Sequence, residues 1–147
     1  MVAKNTDNLP EITRPLPSLN EPDTAVFWQA TKNQSFRFQQ CENCNTIVWH
    51  PRAHCLGCTN GKLEWRESAG EGEVYTYSVV RQSYHPFFRN KVPYAVVYVD
   101  LDEGPRLLTN MVGVEDPLQD IKIGMRVKLS WEIHPELSIP LVEPVKD

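Results

Sequence analysis

Alternation of apolar and polar residues is the dominant signal in this chain, and it is strongest at residues 126–133. There Val127, Leu129, Trp131 and Ile133 alternate with Arg126, Lys128, Ser130 and Glu132, the two-residue period of a strand with one face in a core. From Gly72 onward, residues 74–81, 94–101, 106–114 and 140–145 also have strand character, giving five strands. Asp102-Glu103-Gly104 reads as the hairpin turn between the second and third, with Gly104 free to take a positive φ. Ile123-Gly124-Met125 marks the entry to the fourth. Five short antiparallel strands suit a closed or partly open barrel, which removes exposed edges, and an OB-like barrel is the first expectation.

The N-terminal half is patterned differently. Residues 23–33 follow an N-cap-like Asn20-Glu21-Pro22-Asp23 and place Val26, Phe27 and Ala30 on one face, with Trp28 beside them. This predicts one helix of three turns that leans on a partner or on the segment after it, since so short a helix is marginal alone. Residues 35–40 alternate and run directly into Cys41, while residues 47–49 and 63–65 return as short strands. Upstream, residues 1–22 carry four prolines and isolated Ile12, Leu16 and Leu19 without a period. They read as an extended tail, either disordered or docked along a partner.

The four cysteines change the picture. Cys41 and Cys44, then Cys55 and Cys58, form two C-x-x-C turns with ten residues between them. Each turn lets two thiolates converge on one ion, and two turns complete a tetrahedral four-sulfur shell with no open position for substrate. Soft thiolate donors favour Zn²⁺, so a structural zinc is expected. His50 and His54 flank the second pair, but four sulfurs already fill the coordination sphere, which leaves both as surface or backing residues. The expected organisation is an extended tail at 1–22, a short helix at 23–34, a zinc ribbon at 35–68 and a five-stranded OB-fold at 69–147. The chain is mainly β.

Composition narrows the function classes. Of 147 residues, 41% are hydrophobic and 23% charged, which supports a packed core, and twelve prolines against seven glycines favour extended segments over long helices. The N-terminus lacks an apolar leader core and no stretch approaches a membrane span, so a cytoplasmic protein with no membrane partner is expected. Residues 32–91 hold 8 basic and 5 acidic residues, whereas residues 92–147 hold 5 and 10. A weakly positive middle suits a phosphate-bearing small molecule or an acidic partner surface. It falls short of the basic stripe of a nucleic-acid binder, and an overall net charge of −4 argues against that alternative, a nucleic-acid-binding ribbon and OB module.

Candidate contact residues cluster in the loop joining the first two barrel strands. Arg81, His85, Phe87, Phe88, Arg89 and Lys91 put an apolar tip among cations. Such a tip suits an apolar chain or partner groove, with the cations meeting phosphates; the plainer reading has both phenylalanines closing the barrel end. Phe27 and Trp28 are a second candidate contact. Tyr75 with Tyr77, and Tyr94 with Tyr98, are spaced so that each pair shares a strand face. Arg52, between the cysteine pairs, is placed to hydrogen-bond ribbon carbonyls. Asp100, Asp102 and Glu103 lie at the predicted hairpin, where acidic residues serve solvation and turn geometry. The histidines have no evident acid or nucleophile partner, and neither a G-x-S-x-G elbow nor a phosphate-binding glycine loop occurs. No residue is assigned a catalytic role.

Phe27-Trp28, Cys41-Glu-Asn-Cys44, Pro51-Arg52, Cys55-Leu-Gly-Cys58, Leu63-Glu-Trp65, Gly72-Glu-Val-Tyr-Thr-Tyr77, Pro93-Tyr94, Leu101-Asp-Glu-Gly104 and Ile123-Gly-Met125 occur in this order. Together they resemble the DUF35 family across residues 22–145. Members of that family join a rubredoxin-like zinc ribbon to an OB-fold. The resemblance implies an accessory subunit that pairs in a hetero-oligomer with a thiolase-like protein, or a lipid-transfer-type thiolase or aldolase. Such a subunit supports acyl-CoA binding while the chemistry belongs to the partner. His54, before Cys55, departs from the family pattern with no consequence for the fold.

Overall fold

A computed structural model describes residues 12–146. The first half of the expected tail, residues 1–11, and Asp147 lie outside the described residues. The architecture is mainly β, with a short helix, a cysteine-bearing ribbon and a closed five-strand barrel.

Helix α1, Ala25–Thr31, has seven residues and is shorter than its pattern suggests. Its buried side chains are Phe27 and Thr31, whereas Val26 is 41% exposed. The inward stripe is thus the i, i+4 pair 27 and 31 rather than 26, 27 and 30, because tertiary contacts choose the face. Thr31 Oγ1 donates to Trp28 O at 2.6 Å and accepts from Ser138 N at 3.2 Å, which ties the helix to the last barrel strand. Phe27 stacks edge-on against Phe36 and Trp49, with ring centroids 5.3 and 5.2 Å away.

The ribbon is a three-stranded sheet with β1, Arg37–Cys41, between β2, Ile47–Val48, and β3, Leu63–Glu67. Gln39, buried on β1, holds the second cysteine loop. Its amide nitrogen donates to Arg52 O at 2.9 Å, and its amide oxygen accepts from Arg52 N at 2.7 Å. The Arg52 backbone, not its guanidinium, makes this link.

Strands β4, Glu71–Val80, β5, Tyr94–Leu101, β6, Arg106–Met111, β7, Arg126–Ile133, and β8, Ser138–Pro144, close in the order β4-β5-β6-β8-β7. The third strand ends three residues before its predicted limit, where Gly113 takes a φ of 74° and a turn at residues 116–120 follows. Between β4 and β5, Pro86–Arg89 form a single helical turn, α2, capped by His85 Nδ1 accepting from Phe87 N at 3.2 Å. The cap followed by Pro at the first helical position was a readable start signal.

Two alternation readings need correction. A bulge in β4 between Val74 and Thr76 shifts the phase of the strand. Tyr75 therefore points to solvent while Tyr77 packs on the core, so this pair does not share a face. In β7, Val127 is fully buried but Ile133, expected inward, is 71% exposed. It pairs with Ser138 at the hairpin end, beyond the closed interior.

Closure happens at Gly72, which pairs with Leu101 of β5 on one side and Val127 of β7 on the other. A Cβ there would overlap Asp100 O and come within 3.0 Å of Leu101 Cα, so only glycine lets one strand serve two neighbours this closely. The linker from ribbon to barrel is equally fixed. Glu103, in the β5–β6 hairpin, accepts from Ser68 Oγ and Ala69 N, each at 2.7 Å. Its neighbours are also engaged, Asp100 by Arg106 and Asp102 by Arg126, so the three acids are structural ties and not only solvated turn residues. We expect Gly72→Ala to destabilise the barrel by about 1–3 kcal/mol, the usual cost of overpacking. Denaturant unfolding measures it, and an unchanged midpoint would show that closure tolerates a side chain here.

Candidate functional site

Two turns that begin on cysteine bring four sulfurs together. Asn45 and Thr59, each just after the second cysteine of a pair, take left-handed φ values of 61° and 60° and fold the two knuckles alike. Asn43 N points at Cys41 Sγ at 3.4 Å and Gly57 N points at Cys55 Sγ at 3.3 Å, so each turn directs a backbone dipole at a sulfur. Cys41 and Cys58 sulfurs lie 3.7 Å apart, those of Cys44 and Cys55 3.5 Å, and all four fall within 4.8 Å of one another. A tetrahedral ion with sulfur ligands at about 2.3 Å needs sulfur separations of about 3.8 Å, so the cysteines are positioned to bind a metal. No disulfide joins them.

The surroundings suit thiolate ligands. A Cβ on Gly61 would overlap Cys41 Sγ and stand 3.0 Å from Cys58 Sγ, so the chain turns past the sulfurs where only glycine fits. Thr46 draws the Cys44 thiol down to about 6, through its hydroxyl first and its backbone N–H second. Cys58 is lowered by the backbone of Asn60 and the side chain of Asn43. For Cys41 the backbone of Cys44 favours the thiolate, but burial and the neighbouring sulfurs push the thiol up to about 11. Sulfurs crowded this closely resist joint ionisation until a cation neutralises them.

The other candidate residues fall on two depressions. Phe27 is 4% exposed and belongs to the chain's own core, reaching the floor of the cleft that Trp28 borders. Trp28, half-buried, borders an apolar cleft of about 230 Å³ with Trp49, Pro51, Leu108 and Pro140. A second cavity, about 360 Å³, is bordered by Phe88, Lys91, Tyr94, Met111 and Leu141. The two meet on consecutive residues of β6 and β8. That seam is the thinnest in the barrel, paired only at Met111 and Val142 among the described residues. Phe87 and Phe88 are half-buried, stacked edge to face at 4.9 Å, and Phe88 leans on Tyr94. Arg81, His85, Arg89 and Lys91 are exposed around them. Arg89 is steadied by donating to Tyr84 O at 2.9 Å, and Lys91 Nζ sits 4.7 Å from the Phe87 ring centre. Tyr75 is covered by Arg106 at 3.6 Å and is not an open stacking platform.

Sequence reading missed two polar participants, Arg14 and Glu132, which also border the larger cavity. Nothing local links residues 118 positions apart. Burial alone would raise the Glu132 carboxyl, but hydrogen bonds from Arg14 and then His134 outweigh it and hold the group below its ordinary 4.5.

Residues 28–64 match the ChsH2 rubredoxin-like zinc ribbon domain, and residues 65–132 match the ChsH2 C-terminal OB-fold domain. This chain belongs to the DUF35 family. A probable enoyl-CoA hydratase alpha subunit of Thermomonospora curvata is 39% identical over 144 residues, 96% of this chain and 43% of that protein. A DUF35 domain-containing scaffold protein of Methanocaldococcus jannaschii is 35% identical over 91 residues, 60% of this chain and 62% of that one. The DUF35 chain described here thus spans less than two thirds of the length of either relative. Among solved structures, a chain of an Ltp2-ChsH2(DUF35) aldolase superposes with a TM-score of 0.76 at 39% identity, covering 89% of this chain and 98% of that chain.

Two outcomes are expected. Chelation should release one metal ion per chain and abolish hydrogen-exchange protection across the ribbon strands, while β4 to β8 keep theirs; metal-free protein with a fully protected ribbon would contradict this. For Glu132 the folded pKa is depressed, so its contribution to stability is present above the ordinary 4.5 and is lost as pH falls through the folded value. Stability curves of wild type and Glu132→Gln should therefore differ at neutral pH and converge in acid; a constant difference would show that the carboxylate charge is not what stabilises.

Proposed function

We propose that this chain is a non-catalytic zinc-ribbon and OB-fold subunit in the cytoplasm, joined in a hetero-oligomer to a thiolase-like or lipid-transfer-type thiolase or aldolase partner. It supports acyl-CoA binding there, and the partner makes or breaks the carbon–carbon bond. The observation that carries this reading is correspondence over 98% of a ChsH2(DUF35) chain from an aldolase, at 39% identity. The hydratase relative is likewise a protein of CoA-thioester chemistry by its description.

Chemistry supports the same division of labour. Thiolase-type catalysis needs an activated cysteine with bases around it, and all four sulfurs here lie within 4.8 Å of one another, positioned to bind a metal. A structural zinc would sit between them, with Cys41, Cys44, Cys55 and Cys58 as its ligands. The docking surface is the β6–β8 seam, with Trp28 at one end and α2 at the other. Phe87 and Phe88 provide the apolar anchor, and Arg81, Arg89 and Lys91 the cations that meet the CoA phosphates, with His85 beside them as the cap of α2.

Co-expression with a thiolase-like partner should give a complex that survives gel filtration. That complex, and not the isolated chain, should turn over acyl-CoA. Reversing the charges of Arg89 and Lys91 to Glu should weaken acyl-CoA binding by the complex about tenfold at low salt. Thioester turnover by the isolated chain would overturn the proposal, and unchanged affinity in the charge-reversed complex would remove these cations from the site.

A further inference from the structure

Residues 12–14 precede the helix without secondary structure, yet they are fastened to the far end of the chain. Arg14 Nε donates to Glu132 Oε1 at 2.6 Å and a terminal nitrogen donates to Oε2 at 3.0 Å, a bidentate fork on β7. The central carbon of the same guanidinium lies over both rings of α2, 5.0 Å from the Phe87 ring centre and 5.2 Å from that of Phe88. His134 Nε2 lies 2.8 Å from Glu132 Oε1 and orients the carboxylate. The Arg14 side chain is 12% exposed, low for an arginine in an irregular segment.

This set of contacts is specific in kind. Two nitrogens bonded to the two oxygens of one carboxylate match a planar guanidinium and not a compact ammonium, and the aromatic rings add cation–π attraction. Ile12 borders the shallow depression beside Pro86, Phe87 and Lys91, so the segment crosses α2 and then turns in. Pro15 and Pro17 follow directly and restrict the unfolded chain, which lowers the entropy lost when the segment is laid down. Arg14 and Glu132 are also walls of the 360 Å³ cavity, so the residue that fastens the segment shapes that space as well.

From this geometry we infer that residues 12–14 are a strap: Arg14 fills a guanidinium-binding site made by Glu132, Phe87 and Phe88, forming one wall of the barrel-end cavity and fixing α2 against the barrel. The strap itself stands on the isolated chain. Its consequence, that α2 is set in advance for a partner, rests on the function proposed above. Preorganisation of this kind places the aromatic tip and its cations before contact instead of during it.

The test uses the full chain with Arg14→Ala, Arg14→Lys and Glu132→Gln. Hydrogen exchange at Phe88, Arg89 and Lys91, whose amides are bonded within the α2 turn, should accelerate about tenfold in all three variants, while β5 and β6 exchange as in wild type. Methylguanidinium at millimolar concentration should restore protection in Arg14→Ala but not in Glu132→Gln, and methylammonium should restore neither. Unchanged exchange in Arg14→Ala would overturn the strap, and wild-type behaviour of Arg14→Lys, or rescue by methylammonium, would overturn the guanidinium site. Partner affinity is read in parallel and should fall in Arg14→Ala. Faster exchange with unchanged affinity would leave the strap standing and remove α2 from the proposed docking surface.

Discussion

Four sulfurs drawn within 4.8 Å of one another are the constraint on which the N-terminal half of this protein depends. Left as thiolates without a cation they repel, and left as thiols they contribute little, because the ribbon's three strands are too few to bury a core alone. With a divalent ion the same crowding becomes attraction, and the two cysteine loops are held at both ends. The packing then has a fixed frame to build on. Gln39 clasps the Arg52 backbone, and Phe36 and Trp49 present a surface on which Phe27 of the helix rests.

That aromatic cluster makes the ribbon and the barrel one body. Phe27, Phe36 and Phe38 belong to the same buried cluster as the barrel valines, and the linker between the two units is gripped by Glu103. Helix α1 bridges them through Thr31 and Ser138. A rigid junction sets the angle between the cysteine loops and the barrel seam. It thereby fixes the distance between the Trp28 cleft and the α2 tip, two places where apolar side chains border a recess. For the accessory role proposed above, such rigidity is the useful property, since a loose junction would have to be ordered on every encounter.

The strap extends the same logic to the far end of the barrel. Single-turn α2 has few contacts of its own, and Phe87 and Phe88 are only half-buried. Arg14 supplies from the N-terminal segment the pairing that this turn lacks. The depressed Glu132 carboxyl is the electrostatic mark of that arrangement, because a buried acid with no cation beside it would shift the other way.

Sequence by itself determined the parts whose physics is local. Spacing placed Cys41, Cys44, Cys55 and Cys58 around one point, since a C-x-x-C turn converges its sulfurs whatever surrounds it. Two-residue alternation located the barrel strands, and the second and fourth, Tyr94–Leu101 and Arg126–Ile133, were bounded as observed. Only the tertiary structure decided what depends on distant neighbours. The bulge at Tyr75 reversed a strand face because pairing with β5, not pattern, sets the phase. Phe27 went to the core because the ribbon and the barrel both meet it. Asp100, Asp102 and Glu103 became ties because their partners lie in other elements. Arg14 found Glu132 across 118 residues. No short-range periodicity encodes that last meeting, because it arises only when the folded barrel brings the segment before the helix against β7.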